Sequence, residues 1–261
     1  MGTIAILDSG IGGLSVYQEI VKKCPEHHYV FVSDNDAFPY GTKTEAFLIE
    51  RVLLLVEGIV SNYKPDILVV ACNTASTVVL PSLRAKYDFP IVGVVPAIKP
   101  AASLTKSKVI GLLATPGTIR RAYTQDLIDQ FAQDCHIIKL GSNELVEIAE
   151  SKLYKQAVDV EQLEAQLAPL LSVKELDILV LACTHFPFLS IEIDAFFKAK
   201  GLSVKLVDSG SAIANRVSDI IGNKDSFGGV SKAIFTSQNQ TKALADYLEQ
   251  IGLTQSSEKL V

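Results

Sequence analysis

Cysteine is scarce, with four in 261 residues. So few thiols in a chain that is 48% hydrophobic exclude a disulfide framework and point to a reducing compartment where thiols stay free. There is no CxxC pair, and the histidines stand at 27, 28, 136 and 185, so no zinc-ligand spacing exists and no metal is expected. Basic blocks are missing too. A formal charge of -5 without long runs of one sign excludes the footprint of a nucleic-acid binder and a polybasic membrane patch. No apolar run approaches the ~18 residues that a membrane helix needs. The opening MGTIAILDSG has no basic region followed by an apolar stretch and a cleavage site. These absences lead to the expectation of a soluble, cytoplasmic protein that handles a small molecule.

What is present is a rhythm. Short runs of Ile, Leu and Val recur at residues 3–7, 29–32, 67–71, 91–95, 109–113, 137–140, 178–182, 204–207 and 233–236. They are continuous rather than alternating, which predicts strands covered on both faces, as in a parallel sheet. Between them the spacing predicts helices, among them 45–63, 119–133, 160–171, 191–200 and 240–251. The alternation predicts an α/β fold of doubly wound parallel sheets with right-handed crossovers.

One stretch is written almost twice: residues 66–76 read DILVVACNTAS and residues 177–187 read DILVLACTHFP. The offset is constant, since 177 − 66 and 183 − 72 both give 111. A period that long suits no solenoid and predicts two pseudo-symmetric domains. Residues 1–96 with 209–261 are expected to form the first, which carries Asp8 and Cys72, and residues 97–208 the second, which carries Cys183 and His185. Asp208-Ser209-Gly210 echoes Asp8-Ser9-Gly10 as a second trace of the repeat. Ligands of doubly wound sheets bind beyond the carboxyl ends of strands. Each copy of the repeat puts its cysteine there, so two facing domains would offer one thiol each to a shared cleft.

A buried cysteine is often only a small hydrophobe, and Cys24 and Cys135 are read that way. Cys72 and Cys183 differ. Each precedes polar, helix-opening residues, Asn73-Thr74 and Thr184-His185, whose groups favour a thiolate or a bound carboxylate. Asp8-Ser9-Gly10-Ile11-Gly12-Gly13 matches a dinucleotide fingerprint only in part, because Ser15 stands where the third glycine belongs. The turn is read instead as capped by Asp8, whose carboxylate at a strand end could hold an ammonium group or orient a thiol. His185, two residues beyond Cys183, fits an acid or a thiol activator. Tyr40, on the Phe38-Pro39-Tyr40-Gly41 turn, could wall a pocket, and the hydroxyls of Thr115 and Thr118 suit a carboxylate or an N-cap. His27, His28, Arg120 and Arg121 are expected on solvated surface.

Taken in order, DSGIGGLSV, FPYG, ACNTAS, ATPGTI and ACTHFP resemble the motifs of the glutamate racemases, within the cofactor-independent aspartate/glutamate racemase superfamily. The motifs run from residue 8 to 187, and the flanking pattern extends over nearly the whole chain. Ala182 departs from a frequent glycine. The resemblance implies a two-domain enzyme, its site in the cleft, that interconverts L- and D-glutamate without cofactor or metal and supplies D-glutamate for peptidoglycan. It implies that Cys72 and Cys183 are acid/base thiols on opposite faces of the substrate, the first acting on the D enantiomer and the second on the L, supported by Asp8 and His185 respectively. Ser9, Pro39, Tyr40, Gly41, Asn73, Thr74, Thr115, Thr118 and Thr184 match substrate-binding positions. Glu147 in ELVEIAE matches a further carboxylate near Cys183, with Glu144 as its alternative. The same segment resembles the branch activated by a UDP-linked muramic acid precursor, and dimers are common among such enzymes. Three rivals stand beside this reading: an aspartate racemase, a two-lobed binding protein without turnover, and a redox protein with a reversible Cys72–Cys183 disulfide.

Overall fold

The computed structural model describes residues 2–222, 230–237 and 240–260. Ten strands among them form two sheets: β1 (Thr3–Asp8), β2 (His28–Ser33), β3 (Ile67–Val70), β4 (Ile91–Gly93), β5 (Val109–Ala114), β6 (His136–Gly141), β7 (Ile178–Ala182), β8 (Lys205–Val207), β9 (Lys232–Phe235) and β10 (Thr254–Ser256). The first sheet runs β10-β9-β2-β1-β3-β4 and the second β6-β5-β7-β8, and every pairing is parallel. In β1, β2, β3, β5 and β7 the continuous apolar runs are explained by burial on both faces, whereas the runs 137–140 and 204–207 form the edge strands β6 and β8, which are not fully covered. Ile4, Ile6, Ile67 and Val69 feed one core while Ala5, Leu7, Leu68 and Val70 feed another across the sheet. In the second sheet Leu113, Leu179 and Leu181 face one core, and Ile110, Leu112, Ile178 and Val180 the opposite one.

The repeat in the sequence is a repeat of topology. β2-β1-β3-β4 and β6-β5-β7-β8 have the same order, with β9 and β10 added at the β2 edge of the first sheet. Even the aspartates that open the repeat do equivalent work. Asp66 accepts the backbone N–H of Thr3 at 2.8 Å, tying β3 to the start of β1. Asp177 accepts the Thr105 hydroxyl and the amides of Lys106 and Ser107, tying β7 to the start of β5. The echo at Asp208 is a different matter. It follows β8, whereas Asp8 closes β1, whose topological counterpart is β5.

Three element boundaries differ from expectation for local reasons. The helix expected over 119–133 is two helices, Pro116–Arg120 and Ala122–Phe131. Thr115 caps the first from residue 115 onward, Arg121 is extended, and the Thr124 hydroxyl takes the Thr118 carbonyl at 2.7 Å. The segment 160–171 is α-helical only over Val160–Leu167 and tightens to a 3-10 turn at Ala168–Ser172, where Pro169 has no N–H to continue the ladder. β10 has no apolar run to announce it, being three residues of Thr, Gln and Ser on a sheet edge. Among the described residues no helix is long and apolar enough to cross a membrane.

Candidate active site

The equivalent strand pairs β1/β3 of the first sheet and β5/β7 of the second end at the interface between the lobes. β1 delivers Asp8 and Ser9, and β3 delivers Cys72, which stands directly before the helix Asn73–Lys86. β5 delivers Thr115, and β7 delivers Cys183, Thr184 and His185. The result is one small cavity of about 20 Å³ lined by Ser9, Phe38, Pro39, Tyr40, Gly41, Cys72, Asn73, Thr74, Thr115, Val146, Cys183, Thr184 and His185. Such a space holds about one water. Both repeat thiols are therefore at one site, one from each lobe, and each is less than one-tenth exposed.

The two sulfurs have unlike surroundings. On the first side, Asp8 accepts the amides of Ser9 at 2.7 Å and Gly13 at 2.6 Å. The Ser9 hydroxyl lies 3.9 Å from the Cys72 sulfur. Burial pushes the Asp8 carboxyl up to about 6, against the opposing pull of His185, the two amides and the Cys72 thiol. Burial also drives the Cys72 thiol well above its ordinary range, and the Asp8 charge adds to this. Cys72 is thus a proton holder at neutral pH. On the second side, His185 Nδ1 lies 3.8 Å from the Cys183 sulfur and Nε2 lies 2.7 Å from Glu150 Oε1. Burial alone would lower the imidazole, but Cys183 and Glu150 outweigh it and hold His185 well above its usual value. A cation faces the second sulfur.

The carboxylate on His185 is Glu150, which corrects the expectation of Glu147. Glu147, one turn earlier on the helix Glu144–Leu153, is exposed beside an outer cavity of about 330 Å³ that Gly10, Phe38 and Glu150 also border. Glu144 accepts the Ser142 hydroxyl and stays at the helix start. Residues 147 and 150 lie on one helix face, so spacing alone could not separate them. What could have pointed to Glu150 is its place at the centre of the buried positions Val146, Ala149 and Leu153.

The glycine turn serves this geometry rather than a phosphate. Three of its amides are already engaged, those of Ser9 and Gly13 by Asp8 and that of Ile11 by Glu150 at 3.0 Å. A Cβ at Gly12 would overlap the His185 ring, and one at Gly10 would overlap Glu150. The turn is bare so that the lobes can meet over it. Thr74, Thr115 and Thr118 form a triangle of hydroxyls at 2.9, 3.1 and 3.0 Å that also crosses between lobes. Thr118 reaches the site through this triangle and not through the cavity wall. The Thr184 hydroxyl points at Asp8 from 3.4 Å, and the Asn73 amide nitrogen is buried without a partner among the described residues. Arg121 is not a solvated side chain, as its position had suggested. It is 15% exposed and pairs with Glu45 of the first lobe at 2.6 Å. His27 and His28 are half-buried.

Two lobes that share a strand order, each ending the equivalent strand in a thiol at a common small pocket, make this a two-thiol α/β enzyme of the racemase type. The chain belongs to the Asp/Glu/Hydantoin racemase family, whose sequence pattern matches residues 4–217. Over 224 residues it is 50% identical to glutamate racemase of Pectobacterium atrosepticum, covering 85% of this chain and 78% of that one. Its fold superposes on the crystal structure of Escherichia coli glutamate racemase in complex with L-glutamate and the activator UDP-MurNAc-ala, with a TM-score of 0.91, 45% identity and 97% of both chains covered. Glutamate racemase isoform RacE1 from Bacillus anthracis superposes with a TM-score of 0.84 at 26% identity, covering 99% of this chain and 98% of that one.

Proposed function

We propose that this chain interconverts L- and D-glutamate by passing the α-hydrogen between two thiols, supplying D-glutamate for peptidoglycan. The observation that carries the reading is the shared cavity with Cys72 on one lobe and Cys183 on the other. With L-glutamate bound, the Cys183 thiolate takes the α-proton and the substrate becomes a carbanion. The Cys72 S–H then protonates the opposite face, leaving D-glutamate, a Cys183 thiol and a Cys72 thiolate. The His185 imidazolium, held by Glu150, balances the charge at the second sulfur. Asp8, with a carboxyl near pH 6, is the neighbouring acceptor that helps reset the first. The Asn73 amide and the hydroxyls of Ser9, Thr74, Thr115, Thr118 and Thr184 supply donors for substrate carboxylates, with Pro39, Tyr40 and Gly41 as the wall. In a dry pocket these fixed dipoles act more strongly on a developing anion than water does. The pocket has no room for glutamate as it stands, so the lobes part to admit it.

The test uses the two single variants. Cys72→Ser and Cys183→Ser are each expected to lose racemisation, followed by circular dichroism from either enantiomer, and wild-type rates in either variant would overturn the assignment. In deuterated water, early product carries solvent deuterium at Cα while recovered substrate keeps its hydrogen. Faster turnover of aspartate than of glutamate would move the chain to the sister activity. We also carry to this chain the activation by UDP-MurNAc-ala that belongs to the Escherichia coli enzyme. A hollow of about 480 Å³ bordered by Arg84, Tyr123 and Arg216 offers two guanidiniums to a diphosphate. The Arg84→Ala/Arg216→Ala variant is expected to keep basal turnover and lose stimulation by the UDP-linked precursor.

A further inference from the structure

Asp34 lies just beyond β2, is fully buried, and has no part in the chemistry above. Its carboxylate nevertheless collects four donors. Arg51 contributes Nε at 2.9 Å and Nη2 at 2.6 Å, the Tyr40 hydroxyl stands at 2.7 Å and the Thr236 hydroxyl at 2.9 Å. Its own amide donates to the Asp8 carbonyl at 2.8 Å. One residue thus links the end of β1, the turn that holds Tyr40, the helix Glu45–Tyr63 and the segment after β9.

Because the Tyr40 hydroxyl is committed to Asp34, this side chain meets the cavity with its ring and its backbone. Burial and the Asp34 charge hold the hydroxyl far above its ordinary range, so it remains a donor. The next residue, Gly41, reaches the other lobe, and its carbonyl is so near Gly117 that a Cβ there would stand 2.7 Å away. The orientation of Tyr40 therefore sets both a wall of the site and the seat of that wall on the second lobe.

We propose that Arg51 is a positioning residue for racemisation: its two-pronged contact holds the Asp34 carboxylate in the orientation that accepts Tyr40, and so fixes the Pro39-Tyr40-Gly41 turn against the substrate cavity. This rests on the racemase reading. Arg51 Nε and Tyr40 share Asp34 Oδ2 while Nη2 holds Oδ1, so the guanidinium fork fixes the plane of the carboxylate. Without the fork the carboxylate is free to rotate, and the bond that orients the turn loses its fixed acceptor. Lysine cannot replace the arrangement, since a point charge does not reproduce the fork.

The experiment is a double-mutant cycle in the full chain. Arg51→Met, Arg51→Lys, Tyr40→Phe and the Arg51→Met/Tyr40→Phe pair are assayed for kcat and KM in both directions, with thermal unfolding in parallel. Arg51→Met is expected to lower kcat/KM by about 10- to 100-fold, the scale of a lost hydrogen bond to a charge, with Arg51→Lys intermediate. On the Tyr40→Phe background the same substitution is expected to cost much less, because the bond it protects is already gone. Losses that multiply, or an Arg51→Met enzyme with kcat/KM within about twofold of wild type and only a lower Tm, would overturn the inference. Should Arg51→Met fail to fold, Arg51→Lys runs the same cycle with the same two outcomes. Absence of turnover in the wild type sinks the racemase reading, whereas a racemising wild type matched by its Arg51 variants sinks only this inference.

Discussion

Glu150 Oε1 lies 2.7 Å from His185 Nε2 and also accepts the amide of Ile11 at 3.0 Å, so one carboxylate of the second lobe holds an imidazole of its own lobe and the glycine turn of the other. Charge placement at Cys183 and one of the contacts that dock the lobes therefore share a single side chain. Of its two bonds, the one to Ile11 crosses between the lobes.

Replacing Glu150 by Gln is expected to reduce kcat/KM by about 10- to 100-fold, the cost of one charge-assisted hydrogen bond at a buried site. The loss must be equal from L- and from D-glutamate, because the enantiomers have the same free energy. Glu147→Gln, one turn away on exposed surface, is expected to stay within about threefold of wild type. The His185 value is raised, so its contribution to stability is complete below its ordinary 6.5 and disappears as pH rises through the higher folded value. Unfolding free energies should consequently show the Glu150→Gln deficit widest at low pH and narrowing as pH rises. A Glu147→Gln enzyme that loses more activity than Glu150→Gln would reverse the assignment.

The glycine turn gives a steric prediction. Gly12→Ala puts a methyl into the His185 ring, and Gly10→Ala puts one into Glu150 and Phe38. Neither obstacle is the far end of a free side chain, so the lobes must separate to make room. Both variants are expected to fold, since the Cβ clashes are with the opposite lobe or the turn 38–41 and not within the first sheet. Both are expected to lose turnover by more than about tenfold, with glutamate binding weakened in calorimetry. Wild-type affinity in Gly12→Ala would show that closure over the turn is unnecessary.

Much of this was legible in the sequence because it is a matter of strands. Runs such as 67–71 and 178–182 are apolar on both faces, so they announced buried parallel strands, and their identical endings announced Cys72 and Cys183. Motifs at strand ends could be read because a strand end has one place to be. Glu150 could not, since its role depends on which face of the helix Glu144–Leu153 turns toward His185, a residue 35 positions away. Arg121 was misjudged for the same reason, since its partner Glu45 is on the other lobe. β10 and the break at Arg121 carry no hydrophobic signal. They are set by an added sheet edge and by one hydroxyl on a carbonyl.

Asp8 yields a pH prediction of definite sign. Its folded value is raised from 3.8 to about 6, so its stabilising contribution is complete below 3.8 and is lost as pH rises through about 6. Asp8→Asn carries no such titration. The stability of the variant relative to wild type should therefore improve as pH rises from about 4 to 7, by up to about 3 kcal/mol, whatever constant penalty follows from losing one acceptor for the Ser9 and Gly13 amides. Denaturant unfolding at several pH values measures this difference. A gap that is flat across that range would mean that Asp8 titrates normally in the fold.

The Glu45–Arg121 pair joins the two lobes close to the threonine triangle, and a separation of the lobes at this contact breaks it. With the Glu45 side chain 61% exposed, the pair is worth about 1 kcal/mol or less to global stability. Its influence on opening is more direct, because a bond made only in the closed form adds its whole strength to the closed population. Glu45→Gln is expected to raise the association and dissociation rates of glutamate together by a few-fold, roughly that same free energy, while Tm hardly moves. Stopped-flow binding under non-turnover conditions, with a Cys183→Ser background to hold substrate unreacted, separates the two rates. Added salt should reproduce the effect in wild type and do little to the variant, since screening acts on the pair that the variant lacks. Rates unchanged by both salt and substitution would show that this ion pair does not govern opening, and would leave other contacts between the lobes, such as the Ser15 hydroxyl on the Thr184 carbonyl at 2.8 Å, to hold the closed form.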